Sequence, residues 1–213
     1  VPTASVAKVI TALAVLDKQP LRLSKVGPII QLDKTDVGYF ESHYINGGSV
    51  VKVVDGEKIS QYQALQAMLL PSGNNMADSL ARWAFGSPEK YTEYANMMLK
   101  KMGVKDTVVA DASGFLPNTI STSSDLTTIG EKALQNPVLA QIVAQPSATV
   151  PIAGEIKNVN WLLGEEGVVG IKTGSTDQAG GNFLFAANRK ILGEDIKVVG
   201  AILGAPNRNS AIS

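Results

Sequence analysis

The hydrophobic pattern predicts a buried helix near the beginning of the sequence. Five apolar residues recur at helical spacing over residues 4–17: Val6, Val9, Ile10, Leu13 and Leu16. Because apolar residues also occupy most of the other faces, we expect this helix to lie inside the molecule. Thr3 precedes the helix as a candidate N-cap, and Pro20 follows its end.

The middle of the chain divides into an irregular segment and a series of helices. Residues 26–60 are rich in glycine, and only the short apolar runs 26–32 and 50–54 favour strands. Beyond them, periodicity and helix-boundary residues predict helices over 61–70, 75–84, 88–101, 125–135 and 137–144. The third of these has the clearest boundaries, with Ser87 and Pro88 at its start and Gly103 at its end.

The last third of the chain has a strand pattern. Residues 168–173, 183–188 and 197–203 are β-rich runs joined by glycine-containing turns, which favours an antiparallel sheet. We therefore expect an α/β (α+β) sandwich, in which an antiparallel sheet is flanked by helices and joined to a helical subdomain. The prediction is a single domain over 1–213, with a sheet part at about 1–25 and 150–213 and a helical part at about 60–145.

Composition narrows the possible chemistry. The 213 residues carry 19 basic and 19 acidic side chains, so no charge excess indicates a nucleic-acid partner. There is no cysteine and one histidine, His43, which excludes a thiol nucleophile, any thiolate metal site and most histidine-rich metal sites. The longest apolar run, residues 9–16, is far shorter than the ~20 residues that span a bilayer. An enzyme of this composition needs a general base other than histidine.

Ser5 and Lys8 are the first candidates for catalysis. They lie three positions apart on the predicted helix, so their side chains share one face. Burial disfavours the charged form of a lysine and lowers its pKa, and such a lysine is a suitable base for a serine nucleophile. A solvated lysine beside a first-turn serine would give the same Ser-x-x-Lys pattern, so this pair alone leaves both interpretations open.

Two further motifs follow in order. Ser72, Gly73 and Asn74 lie between two predicted helices, where they are typical either of a helix-capping turn or of a hydroxyl and an amide presented together. Lys172, Thr173, Gly174 and Ser175 end a β-run, where lysine and threonine bind an anion or simply face solvent.

Taken together, the three motifs resemble those of a known family. Ser-x-x-Lys, Ser-x-Asn and Lys-Thr-Gly in this order are the signature of penicillin-recognising serine enzymes. The sequence is similar to serine-type D-alanyl-D-alanine carboxypeptidases, the low-molecular-mass penicillin-binding proteins of the β-lactamase/transpeptidase-like superfamily. The similarity extends over residues 2–13, 111–115, 121–126 and 170–181.

The resemblance implies a role for each residue of the first two motifs. Ser5 is the nucleophile that forms an acyl-enzyme, and Lys8 accepts its proton. Ser72 relays a proton to the leaving D-alanine, and Asn74 holds the substrate's peptide amide.

It implies substrate contacts for the third motif. Lys172 and Thr173 bind the terminal carboxylate, and the side chain of Ser175 is a further candidate contact. The backbone N–H groups of Ser5 and Ser175 form the oxyanion hole. A nearby Lys172 would also lower the pKa of Lys8 through like-charge repulsion.

His43 and Arg208 lie outside these motifs. We interpret Glu41 to Tyr44 as a polar loop with a solvated His43. Arg208 follows a Gly-Ala-Pro turn, where it either helps to bind the carboxylate or is a surface residue. We expect this sequence to lack two parts of the family pattern, the N-terminal strands and the long C-terminal helix that would begin at Ser213.

The resemblance also implies partners and a location. The expected substrate is a peptidoglycan stem peptide ending in D-Ala-D-Ala, with β-lactams as inhibitors and no cofactor. The location is extracytoplasmic, and the full-length protein is open to membrane attachment through segments outside this sequence.

Two alternative functions remain open. A class A-like β-lactamase needs a Glu-x-x-Leu-Asn loop to deacylate, and no glutamate between residues 75 and 171 begins that pattern. A non-catalytic penicillin sensor would keep all three motifs, but such sensors usually carry a transmembrane segment.

Overall fold

The computed structural model describes residues 1–212, so the predicted end of the domain at Ser213 lies outside the described residues. A 3₁₀ turn, Ala4–Ala7, leads into helix α1, Lys8–Lys18. This helix packs against four others and is buried along most of its length, as predicted. Thr3 does not cap it through its side chain, because the hydroxyl donates instead to the carbonyls of Thr119 and Ala4.

The segment predicted to be irregular contains an unpredicted helix. Strand β1, Ile29–Gln31, pairs with β2, Lys58–Ser60, and helix α2, Lys34–Ile45, lies between them. Asp33 and Asp36 form a capping box at the start of α2. Asp36 is its one buried residue, so α2 has no apolar stripe that hydrophobic periodicity could detect.

The expected strand at residues 50–54 does not form. Val51 and Val53 are buried, but the backbone N–H and C=O of Val51 pair with the side-chain amide of Asn75 at 2.9 and 2.8 Å. The apolar residues of this segment are therefore buried as in a strand. The backbone of Val51, however, is hydrogen-bonded to the side chain of Asn75 and not to another strand.

The helical part follows closely the predicted order. Its helices are α3 Gln61–Leu69, α4 Asn74–Phe85, α5 Pro88–Lys101, α6 Ser123–Gln135 and α7 Pro137–Val143. A two-stranded hairpin that the sequence analysis missed comes next, with β3 Ser147–Val150 and β4 Gly154–Lys157.

An antiparallel sheet in the order β5-β6-β7 completes the fold. Its strands are Val168–Thr176, Gly180–Ile191 and Glu194–Ala205, and helix α8, Arg208–Ile212, follows. Leu184 and Ala186 belong to the main core, whereas Phe183 and Ala187 pack with Ile212 of α8. Because alternate residues face opposite sides of a strand, helices α6 and α8 cover opposite faces of the sheet. The predicted α+β architecture is confirmed.

Candidate active site

Ser5 lies in the 3₁₀ turn that precedes α1, partly exposed in a cleft. The residue before it, Ala4, has a φ of 46°, a left-handed conformation that costs on the order of 1 kcal/mol or more outside glycine. The backbone of Gly114 packs closely against this turn, since a Cβ at Gly114 would lie 1.9 Å from the Ala4 carbonyl oxygen. The Ser5 N–H has no acceptor within its own short helix and remains available to a ligand.

Lys8 is fully buried and holds three parts of the site together. Its Nζ lies 2.8 Å from Ser5 Oγ, 2.6 Å from Asn74 Oδ1 and 2.9 Å from the Ser113 carbonyl oxygen. These contacts join the first motif to the second and to the loop after α5.

The environment of Lys8 gives it the pKa of a base. Burial lowers its pKa to about 7, against the opposing charges of Asp111 and Asp78, which raise it. The expected repulsion between the two lysines acts on Lys172, whose pKa the charge of Lys8 lowers. For Lys8, the dominant cause is the loss of water around the amine.

The second motif presents its residues through a strained turn. Ser72 is buried and has a φ of 68°, and Asn74 begins helix α4 directly afterwards. The Asn74 backbone N–H donates to the Ser49 carbonyl at 2.8 Å, while its side chain accepts from Lys8. A backbone strained at Ser72 and held at Asn74 is typical of a functional site.

The third motif lies on β5, next to the turn that carries Ser5. A Cβ at Gly174 would be 2.9 Å from the Ser5 nitrogen and 3.0 Å from the Val6 nitrogen, so the strand reaches this turn only because glycine has no side chain. Ser175 follows Gly174, is exposed and lines the same cleft as Ser5.

Lys172 is buried below that strand edge. Its Nζ donates to the Thr173 carbonyl at 2.9 Å, its one hydrogen bond within residues 1–212. Burial, with the charges of Lys8 and Arg208, lowers the pKa of Lys172 well below its ordinary value. Because Nζ makes one hydrogen bond, its other N–H groups can face an anion, and the charge of a bound anion would stabilise the ammonium form of Lys172.

The cleft has a volume of about 500 Å³. Its walls are formed by the loop after α2, the loop 115–117 and the end of β5; they include Asn46, Gly47, Gly48, Ser49, Phe115, Leu116, Pro117, Thr176, Asp177 and Gln178. Asp177 is the one carboxylate among the residues that line it. Within the described chain, no three histidine or acidic side chains are grouped to hold a metal ion.

The prediction of a polar loop with a solvated His43 is wrong. This histidine lies in α2 rather than in a loop, and its Nε2 is 2.7 Å from Asp78 Oδ2, with 15% of the side chain exposed. Histidine and aspartate come from different helices, so no local pattern could show the pair. Arg208 is exposed at the start of α8, in a groove that it shares with Ser175.

Asp111 and Ser113 are site residues to which the sequence analysis gave no role. Asp111 accepts hydrogen bonds from the Ser113 hydroxyl at 2.7 Å and the Phe115 N–H at 2.8 Å, and so orders the loop whose Ser113 carbonyl contacts Lys8. Their signal was the Asp-Ala-Ser-Gly-Phe sequence, which matched the family.

Several known proteins are similar to this chain over most of its length. The family model of D-alanyl-D-alanine carboxypeptidases, peptidase S11, matches residues 1–207. The D-alanyl-D-alanine carboxypeptidase DacB2 of Mycobacterium tuberculosis is 34% identical over 195 residues, which cover 88% of this chain and 62% of that protein. A D-alanyl-D-alanine endopeptidase of Pseudomonas aeruginosa is 29% identical over 187 residues, covering 84% of this chain and 57% of that one.

A solved structure shows the same fold. The Streptomyces K15 DD-transpeptidase matches with a TM-score of 0.85 at 25% identity, over 99% of this chain and 83% of that one. The chain spans about 57 to 62% of the length of the two curated relatives. Its motifs, its fold and the family match over residues 1–207 together show that it belongs to the D-alanyl-D-alanine carboxypeptidase family, peptidase S11.

Proposed function

We propose that the protein is a serine DD-carboxypeptidase that removes the terminal D-alanine from peptidoglycan stem peptides through an acyl-enzyme on Ser5. The observation that carries the proposal is the 2.8 Å contact between Ser5 Oγ and the Nζ of a buried Lys8 whose pKa is lowered to about 7. At neutral pH much of this amine is unprotonated, so it can take the serine proton as the hydroxyl attacks the peptide carbonyl.

The other motif residues have places in the same reaction. The N–H groups of Ser5 and Ser175 stabilise the oxyanion, and Asn74 orients the peptide amide. Ser72 passes the proton to the leaving D-alanine nitrogen. Arg208 and Lys172, whose ammonium form the bound carboxylate stabilises, supply the positive charge that selects a free terminal carboxylate, and the Thr173 hydroxyl donates to the same group.

Penicillins should acylate Ser5, and the resulting acyl-enzyme should be hydrolysed slowly. Asp177 is the one carboxylate lining the cleft, and it is exposed at the end of β5. Glu131 begins a Glu-x-x-Leu-Gln sequence, yet it lies on the exposed side of α6, in a groove with Lys197 and outside the cleft. This arrangement favours a long-lived acyl-enzyme over β-lactamase turnover.

The substrate implies a location. Peptidoglycan lies outside the cytoplasmic membrane, so we propose that the protein works in the cell envelope. Among residues 1–212, no helix combines the length and apolar character needed to cross a bilayer.

The test combines mass spectrometry with product analysis. Intact protein exposed to penicillin should gain one adduct on Ser5, and a peptide ending in D-Ala-D-Ala should release D-alanine. Ser5→Ala should lose both activities, whereas Ser49→Ala, the same change on another cleft serine, should keep them. An adduct on another residue would refute the nucleophile assignment.

The same assay separates the alternatives. An adduct without any D-alanine release identifies a penicillin sensor, and rapid loss of the adduct identifies a β-lactamase. Adding an amino acceptor during the reaction distinguishes hydrolysis from transfer.

A further inference from the structure

A histidine–carboxylate pair lies behind the cleft, outside the three motifs. His43 Nε2 and Asp78 Oδ2 are 2.7 Å apart and join α2 to α4, with 15% and 20% of the side chains exposed. A carboxylate only accepts hydrogen bonds, so the Nε2 carries the proton and donates it to Asp78.

His43 contacts two walls of the cleft. The edge of its ring meets Phe115 with the centroids 5.6 Å apart and the planes at 86°. Its carbonyl accepts from the Gly48 N–H at 2.8 Å. Phe115 and Gly48 both line the cleft, so the ring of His43 contacts one wall and its backbone carbonyl holds the other.

Asp78 stands behind the amine of Lys8. It lies four residues after Asn74 on α4, and side chains four residues apart share one helix face. Asn74 Oδ1 accepts from Lys8, and the charge of Asp78 raises the pKa of Lys8 against the effect of burial. The charge of Asp78 thus acts on Lys8 without a hydrogen bond between them, from the helix that carries Asn74.

Few other charges compete with this arrangement. The charged groups that act on Lys8 are Asp111 and Asp78, and those that act on Lys172 are Lys8 and Arg208. The groups affected by Asp78 include Tyr39 of α2 and Tyr91 of α5. Arg82, one turn further along α4, is held by Asp33 and Asp36 at 3.1 and 2.6 Å. His43 is therefore the hydrogen-bond partner of Asp78 within the described chain.

We propose that His43 and Asp78 form a positioning pair for the active site. Asp78 places negative charge behind Asn74 and Lys8, and His43 holds Asp78 and links it to the Phe115 wall. Neither residue touches the reacting atoms. The pair adjusts how readily Lys8 gives up its proton and keeps the cleft walls in place.

The first test is Asp78→Asn, which keeps an acceptor for His43 and removes the charge. The pKa of Lys8 should then fall by roughly half a unit or more. NMR of protein with lysine labelled at the ε-carbon measures this pKa, and the Lys8→Arg variant assigns the Lys8 signal. The acidic limb of the pH profile of penicillin labelling should move by the same amount. Asp195→Asn removes the same charge from the exposed end of β7 and should leave both readings unchanged.

The second test separates the two contacts of His43. His43→Gln keeps a donor for Asp78 but has no ring, whereas His43→Phe keeps the ring and leaves Asp78 without its donor. We expect His43→Phe to slow labelling roughly tenfold, the effect of losing a hydrogen bond to a charged group, and His43→Gln to restore most of the rate.

Three outcomes decide the proposal. An unchanged Lys8 titration in folded Asp78→Asn protein overturns it. Equal losses in both His43 variants with an unaltered pH profile indicate packing alone, and also overturn it; this comparison decides if Asp78→Asn does not fold. If wild-type protein takes no penicillin, the proposed function fails, while the NMR titration still tests the pair.

Discussion

At the scale of single residues, the site depends on two buried lysines that differ in their partners. Lys8 has three oxygen partners and two nearby carboxylates, and its pKa lies at about 7. Lys172 has one carbonyl partner and two cationic neighbours, and its pKa lies well below the ordinary value. The first environment fits the proposed proton transfer, and the second fits the proposed anion site, where the charge of a bound carboxylate would offset the burial and repulsion of Lys172.

This difference predicts a pH profile for acylation of Ser5. The folded-state pKa of Lys8 is depressed from 10.5 to about 7, so the neutral amine is present above about pH 7 and lost below it. The labelling rate should fall roughly tenfold per pH unit below that point. Rates measured with a fluorescent penicillin check the profile.

Lys8→Arg is the matched control, because guanidinium stays protonated throughout this range. Labelling by this variant should be nearly absent at every pH. A wild-type profile without an inflection near pH 7 would show that Lys8 is not the base.

At the scale of elements, the distance between β5 and the turn before α1 determines access to the Ser5 N–H. A methyl group at residue 174 would lie 2.9 Å from that nitrogen, closer than a carbon atom packs. The strand must then move away or the methyl must cover the donor. Both results weaken the proposed oxyanion hole.

Gly174→Ala should therefore slow acylation by roughly 10²-fold or more, the usual effect of losing one oxyanion donor. The control is Gly38→Ala on α2, where a Cβ would meet nothing within 4 Å. That change should leave labelling intact and raise stability by about 0.5–1 kcal/mol, as for other glycines in helices. Rapid labelling by a folded Gly174→Ala variant would argue against this strand edge as part of the hole.

The sequence predicted the elements whose capping residues and apolar spacing lie within one segment, and it missed those that depend on contacts between distant segments. Helix α5 has its cap, its proline and its apolar side within one segment, and its start and end were predicted closely. Helix α2 buries Asp36 alone, so its capping box at Asp33 was the available sign. The site motifs were recognised by their order, whereas the His43–Asp78 pair depends on how α2 meets α4.

At the scale of the molecule, one hydrophobic core runs through both the helical part and the sheet. Leu80 of α4, Leu126 of α6 and Leu184 of β6 belong to the same buried cluster. Helix α6 forms the connection, since its Gly130 lies against side chains of β5, β6 and β7. A shared core of this kind favours unfolding as one unit.

Two tryptophans can test this. Trp83 on α4 packs against the main core, and Trp161 lies in the groove on the other face of the sheet. Trp161→Phe leaves Trp83 as the fluorescent reporter, and Trp83→Phe leaves Trp161. In urea unfolding of each variant, the midpoint from tryptophan fluorescence should equal the midpoint from circular dichroism of the same variant. Separate midpoints would divide the molecule into two independently unfolding parts.

The contacts of Lys8 also set the moment at which the protein becomes reactive. Its partners Asn74 and Ser113 lie 66 and 105 positions further along the chain, and β5 comes later still. Until those segments have packed around it, Lys8 is hydrated and keeps its proton, and Ser5 is an ordinary alcohol. Under the proposed mechanism, reactivity would be acquired at the end of folding, and an antibiotic adduct on Ser5 would count the molecules that have completed it.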